Sequence, residues 1–409
     1  MDGTRMRKED DKKEKAQDEV VQLRREIGLL PAVCFIIGSV VGSGIFIAPK
    51  GVLVNSGSVG LSLLVWVLCG VLSMLGALCY AELGTSFTKS GGHYTYLLET
   101  LGPLTAFLRL WSECLFIRPA VASYVSLAFG RYVVEPFFAP CAAPIGLIKL
   151  VSILGLSLVV AINCWSVTMA SRTQITLTFI KMFALVLIIV PGGIALAKGK
   201  TESFQNGFEV DSFKLDKLPL AFYNGLYAYG GWFALNFITE EVINPNRMLF
   251  VAAREGHWPP IFSMIHIRRR TPLPAVLFLY PLMVVVLITG EIYQLINFVS
   301  FSRWLFIALA TLGMLLHRHR FPNHPRPFKV PLALVVTFTV VCFFIVGLSL
   351  YSDPWNTGIS CALTLTGIPV YYVTIYRYRL PHRLRRICDY FSKQLQILLE
   401  VTQQEVQTF

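Results

Sequence analysis

Phe35-Ile36-Ile37-Gly38-Ser39-Val40-Val41-Gly42-Ser43-Gly44-Ile45-Phe46 is an apolar stretch that glycine and serine break where a membrane helix should run smoothly. A second stretch, Phe222-Tyr223-Asn224-Gly225-Leu226-Tyr227-Ala228-Tyr229-Gly230-Gly231-Trp232, is broken the same way. Each is the first of a run of apolar segments. A glycine-interrupted pair in matching positions of two halves points to a solute site between inverted repeats. Unwound backbone frees N–H and C=O groups at mid-membrane, which is tolerable only where they are buried in protein or line a cavity. A half-helix N-terminus there attracts an anionic group such as a carboxylate. The other reading of such glycines is close helix packing.

The composition sets the same frame. Hydrophobic residues make up 55% and charged residues 15% of the 409 residues, and the mean hydropathy is +0.60. A soluble domain does not have this balance. With about 20 apolar residues needed per crossing, the sequence predicts about ten spans, near 28–54, 59–84, 100–136, 145–166, 174–198, 218–241, 273–290, 296–316, 330–351 and 358–376. Residues 1–26 read as a charged cytosolic arm and 377–409 as a cytosolic tail, with no cleaved signal peptide. Lys and Arg concentrate in the arm, at residues 268–270, at residues 317–320 and in residues 377–386. That places both termini inside. The net charge of +12 is then a topology signal, and nucleic acid is not an expected partner.

The chemistry-bearing residues are few. The histidines form no metal-ligand pattern; His317, His319 and His324 read as part of a solvated basic loop. No nucleophile–base pair and no phosphate-cradling loop is present, so neither an enzyme nor a cofactor is expected. Of the nine cysteines, Cys141 alone falls in a predicted outer loop. It is either an intermolecular disulfide partner or an unpaired thiol. No Asn-x-Ser/Thr sequon occurs. Ionisable residues inside spans mark functional sites by default. Arg109 and Glu113, four apart, read as a structural pair on one helix face. Arg118 precedes Pro119, which loosens the helix there, and its five-residue spacing from Glu113 puts the two on different faces. Lys181 and Arg303 also lie within spans. A guanidinium facing a cavity suits a carboxylate, because it can hold two oxygens at once.

At these residues the chain resembles a known family. The matching stretches include Gly42-Ser43-Gly44-Ile45-Phe46-Ile47-Ala48-Pro49-Lys50-Gly51, Cys79-Tyr80-Ala81-Glu82-Leu83-Gly84-Thr85, Ile117-Arg118-Pro119-Ala120, Leu218-Pro219-Leu220-Ala221-Phe222-Tyr223, Ala253-Arg254-Glu255-Gly256-His257 and Leu350-Tyr351-Ser352-Asp353-Pro354. They are similar to the light-chain amino-acid exchangers of heteromeric transporters, in the amino acid–polyamine–organocation superfamily, nearest the branch that exchanges cystine for glutamate. The resemblance implies an all-α polytopic membrane protein with a LeuT-like inverted-repeat transporter fold. The first repeat would span residues 27–198, the second 218–316, and two extra helices would lie in 330–376. It implies sodium-independent antiport of anionic amino acids at the plasma membrane. Substrate backbone groups would meet Val41, Gly42, Ser43, Gly44 and Ile45, with Tyr227, Ala228, Tyr229, Gly230 and Gly231 opposite. Arg118 corresponds to an arginine of the anionic-substrate branch, with Arg303 the next candidate. Lys181 corresponds to a lysine whose ammonium replaces a sodium ion. Cys141 corresponds to the cysteine that joins a single-span type II glycoprotein heavy chain.

One departure is severe. Asn246-Arg247 runs almost directly into Leu249-Phe250-Val251-Ala252-Ala253-Arg254. A stretch long enough for two spans of about 20 residues each is absent relative to the family, so the second repeat is incomplete. The alternative reading is therefore a transport-incompetent light chain that binds the heavy chain or competes for partners. On that reading little or no exchange is expected.

Overall fold

In the computed structural model, residues 37–38, 40–87, 92–165, 167–201, 204, 217–232, 264–266, 273–373, 390 and 393–403 are described. The predicted N-terminal arm and the Asn246–Leu249 junction lie outside them.

The described chain is nearly all helix. In order it has α1 (Gly44–Ser56), α2 (Val59–Ser86), α3 (His93–Leu101), α4 (Pro103–Ser112), a π-helical turn (Glu113–Ile117), α5 (Arg118–Phe138), α6 (Ile145–Trp165) and α7 (Val167–Ala197). There follow α8 (Leu218–Ala228), α9 (Leu273–Thr289), α10 (Ile292–Arg320), α11 (Leu332–Ser352), α12 (Pro354–Leu365) and α13 (Gly367–Tyr371). One feature was not read from the sequence. Met264–His266 (β1) pairs antiparallel with Val401–Gln403 (β2), with Ile265 opposite Thr402. Val401 and Met264 are buried in the same apolar cluster, so the far C-terminal region packs onto the segment before α9.

Five helices among the described residues are long and apolar enough to cross a membrane: Val59–Ser86, Ile145–Trp165, Arg172–Ala197, Ile292–Arg320 and Leu332–Ser352. The remaining predicted spans fall short of that measure among the described residues. The first and sixth extend beyond the described residues and are interrupted at their glycines. The third carries Arg109, Glu113 and Arg118 and changes helix type between them. The seventh is only 17 residues long, and the last divides at Thr366. The protein is a multi-pass membrane protein of the all-α class.

Two apolar clusters hold the helices together. One joins α2, α3, α4, α8, α10 and α11 around Tyr80, Tyr96, Trp232, Phe306 and Phe338. The other joins α1, α5, α9 and α10 around Ile47, Ile117, Tyr124, Leu287 and Ile296. Helix α7 stands apart, with Phe183, Ile188 and Ile189 each more than 60% exposed. Apolar side chains in that position suit lipid rather than water.

A buried ion pair closes one end of the first cluster. Glu82, at the end of α2, is 1% exposed as a side chain, and Arg318, at the end of α10, is 9% exposed. Arg318 donates to Glu82 through Nε at 2.8 Å and also through Nη2. The Val330 N–H donates to Glu82 Oε2 at 2.8 Å, and Arg318 Nη2 donates to the Val330 carbonyl at 2.8 Å. The bonds satisfy both charges and the backbone just before α11. The basic stretch at residues 317–320 is thus not simply solvated. Arg318 is withdrawn into the protein, and His317 stacks edge-on against Phe87 at 5.0 Å. The burial of Glu82 on a neighbouring helix gives Arg318 a partner that water does not.

Candidate functional site

The two broken stretches meet. Residues 41–43 form a bend before α1, and α8 ends at Ala228, followed by a turn through Tyr229, Gly230 and Gly231. Gly231 adopts φ 100°, a left-handed conformation that glycine takes without steric cost. A Cβ built on Gly44 would lie 2.5 Å from Ala228 Cα and 3.1 Å from the Tyr227 carbonyl oxygen. Backbone therefore faces backbone at the point where both helices are interrupted. Ser43 stands at the N-cap of α1, but its side chain makes no cap hydrogen bond. Its Oγ instead pairs with the Tyr227 hydroxyl at 2.7 Å. First-turn N–H groups of a helix have no partner within the helix, so the α1 N-terminus keeps donors for a ligand.

Aromatic contacts extend the site toward α5. Tyr227 meets Tyr124 edge-on at 5.3 Å, and Tyr124 in turn interacts with Arg303 of α10. Tyr229 points elsewhere. It tilts against Trp66 at 5.8 Å and packs on α2 beside Gly70. The structure thus separates Tyr229 from the Ser43–Tyr227 pole.

Lys181 lies on the other side of the first break. Its Nζ donates to the Gly38 carbonyl at 2.8 Å. That carbonyl precedes the interruption, and the ammonium is half-buried beside it.

The cation cluster on the third span departs from the sequence expectation. Arg109 Nη2 lies 2.7 Å from Glu113 Oε2, as the four-residue spacing requires. Arg118 Nε also lies 3.3 Å from Glu113 Oε1. The predicted separation of Glu113 and Arg118 onto different faces is therefore overturned. The cause is the π-helical turn at Glu113–Ile117, where the Arg118 N–H bonds to the Glu113 carbonyl. An i→i+5 bond gives wider turns, so residues five apart come into register. Pro119 cannot donate to the turn behind it, and it stands immediately after this change of winding.

The charges around Glu113 do not balance. Arg303 acts electrostatically on both Arg109 and Glu113. Two guanidinium groups, those of Arg109 and Arg118, thus meet one carboxylate, which is 6% exposed, with the charge of Arg303 acting from further off. Arg109 is 4% exposed and lies over the Phe306 ring at 5.3 Å. Its Nε and Nη1 make no hydrogen bond, and Glu113 Oε2 sits off the N–H direction despite its short approach. Uncompensated buried charge is costly, and an anion beside the cluster would offset it. Arg118, with 23% of its side chain exposed, is the more open of the two arginines paired with Glu113.

Cys141 is exposed, just beyond α5, and its N–H bonds to the Phe138 carbonyl at 2.7 Å. Cys69, Cys79, Cys114 and Cys342 are buried, as expected of small apolar residues in spans. No group of three or more metal-ligating side chains occurs among the described residues.

Comparison with known proteins supplies the lineage. Residues 27–253 match the family described as Amino acid permease. The cystine/glutamate transporter of Homo sapiens is 44% identical over 469 aligned residues, covering 96% of this chain and 94% of that protein. The b(0,+)-type amino acid transporter 1 of Mus musculus is 33% identical, with 98% of each chain covered. The large neutral amino acids transporter small subunit 2 of Homo sapiens is 35% identical, over 87% of this chain and 81% of that one. The first alignment, at 469 positions, is longer than the 409 residues present here, so that relative carries sequence with no counterpart in this protein. These relatives are transporters, not enzymes, and on the strength of the match over more than half its length the chain belongs to the amino acid permease family.

Proposed function

We propose that the protein is a sodium-independent antiporter of anionic amino acids, of the cystine/glutamate type, acting as the light chain of a heteromeric transporter. One observation carries this reading: two helix interruptions face each other at Ser43 and Tyr227, in a protein whose third span buries two arginines on a single carboxylate. The likeness to cystine/glutamate transporters supports the same substrates. On this reading an amino acid's backbone groups bind at residues 41–45 and 227–231. Its side-chain carboxylate turns to Arg118, with Arg303 behind. Lys181 holds the Gly38 carbonyl in place of a sodium ion. The N-terminal arm and the C-terminal tail lie in the cytosol, and the protein works at the plasma membrane.

The test is counterflow. Purified protein in glutamate-loaded vesicles is expected to take up labelled cystine or glutamate, and only when amino acid is present inside. Uptake that ignores the internal amino acid refutes exchange. A second reading has its own support, the aligned sequence that this chain lacks. A protein that binds glutamate but gives no counterflow is the transport-incompetent light chain. Arg118→Ala is expected to weaken glutamate inhibition by about 2–5 kcal/mol, the cost of truncating one partner of a buried charged bond. Unchanged inhibition removes Arg118 from the site.

One relative is named a small subunit, and by that likeness this chain assembles with a larger partner, a single-span glycoprotein. Exposed Cys141 is the proposed point of attachment. A non-reducing gel is expected to show a heavy band that collapses with reductant and disappears in Cys141→Ser. Persistence of the band in that variant refutes the assignment.

A further inference from the structure

We propose that Glu113 is a specificity-determining residue: a resident carboxylate that cancels part of the Arg109–Arg118 charge and so limits how tightly an anionic amino acid is held. This rests on the reading of the site as an anion-binding one, and goes beyond it by assigning a role to a residue of the same sign as the substrate.

The argument starts from the π-helical turn. In a regular α-helix Glu113 would serve Arg109 alone, since only i+3 and i+4 neighbours meet. The wider turn gives Glu113 a second partner, Arg118, through Nε at 3.3 Å. The Arg118 Nη atoms have no hydrogen bond among the described residues, and the side chain is 23% exposed. Glu113 therefore engages the guanidinium at Nε, and the exposed remainder of the side chain is the part left for a ligand. A carboxylate bound there would lie roughly 6–7 Å from Glu113, close enough for strong repulsion in a site screened from water. An exchanger must release its substrate as well as bind it. Paired guanidinium groups without a resident anion would hold a dicarboxylic amino acid too long. The turn that aligns Glu113 with Arg118 thus trades affinity for turnover, and π-turns recur at functional sites for such local re-aiming.

The experiment is equilibrium binding to the purified protein in lipid nanodiscs, with labelled L-glutamate and, by competition, its neutral isostere L-glutamine. Glu113→Gln is expected to tighten glutamate binding about tenfold, leave glutamine nearly unchanged and slow glutamate dissociation. Because this variant leaves Arg109 unpaired in the interior, the double variant Arg109→Met with Glu113→Gln is measured alongside. It removes one positive and one negative charge, so the net charge of the cluster is restored and the glutamate-to-glutamine affinity ratio is expected to fall back toward that of the wild type. A purely structural Glu113 would shift both ligands together. An unchanged or lowered ratio in Glu113→Gln, or a raised ratio in the double variant, overturns the proposal while leaving the anionic-substrate reading intact. A wild-type protein that binds neither amino acid overturns both.

Discussion

Gly44→Ala is expected to weaken amino-acid binding about 100-fold. The new Cβ would sit 2.5 Å from Ala228 Cα and 3.1 Å from both the Ala228 nitrogen and the Tyr227 oxygen. All three neighbours are backbone atoms, so no flexible side chain can swing away. Relief requires the two interrupted helices to separate by about 1 Å, and overpacking of this kind costs about 1–3 kcal/mol. The functional loss should exceed the loss of stability. A shift of that size carries Ser43 Oγ away from the Tyr227 hydroxyl, now at 2.7 Å. A misplacement of about 1 Å at a substrate-positioning group can cost about 100-fold. The measurement is glutamate affinity in nanodiscs, with Gly192→Ala as the control. Gly192 has open space where a Cβ would go and should bind as the wild type does. A Gly44→Ala protein of normal affinity would show that the two breaks do not form the site.

Arg318→Met is expected to cost about 3–5 kcal/mol of stability, because it leaves the Glu82 carboxylate buried and unpaired. Glu82 would keep only the Val330 N–H, at 2.8 Å. The double variant Glu82→Met with Arg318→Met should recover much of that loss, since neighbouring sites of one network are not additive. Thermal unfolding of the detergent-solubilised protein, followed by its monodisperse fraction, measures all three. Wild-type melting of Arg318→Met would mean that the pair contributes nothing net.

The contrast between these sites shows what a sequence can and cannot disclose. The breaks at Gly42, Gly44, Gly230 and Gly231 were legible because glycine inside an apolar run is a local anomaly, visible without knowing the partner helix. Lys181 was legible for the same reason, as a charge within a span. Its contact with the Gly38 carbonyl was not, because 143 residues separate them. The Glu82–Arg318 pair spans 236 residues, and each member looks like an ordinary charge near a helix end. Only the packing of α2 against α10 and α11 brings them together and removes water. The Glu113–Arg118 contact was missed for a different reason. Face assignments assume a constant turn, and one π-helical turn shifts every face beyond it. Pro119 was the available signal, since its missing N–H disturbs the turn before it. By itself a proline there signals a loosened helix rather than a rewound one.

The β1–β2 ribbon has a consequence for the order in which the protein is made. Synthesis runs from the N-terminus, so β1, at Met264–His266, emerges before α9 through α13, and β2, at Val401–Gln403, emerges after them. The two strands can pair only when every intervening helix has been made and residues 401–403 stand on the same side of the bilayer as residues 264–266. An odd number of crossings between them would put the strands on opposite sides. A closed ribbon is therefore a record, written in three residue pairs, that the last part of the chain was threaded correctly.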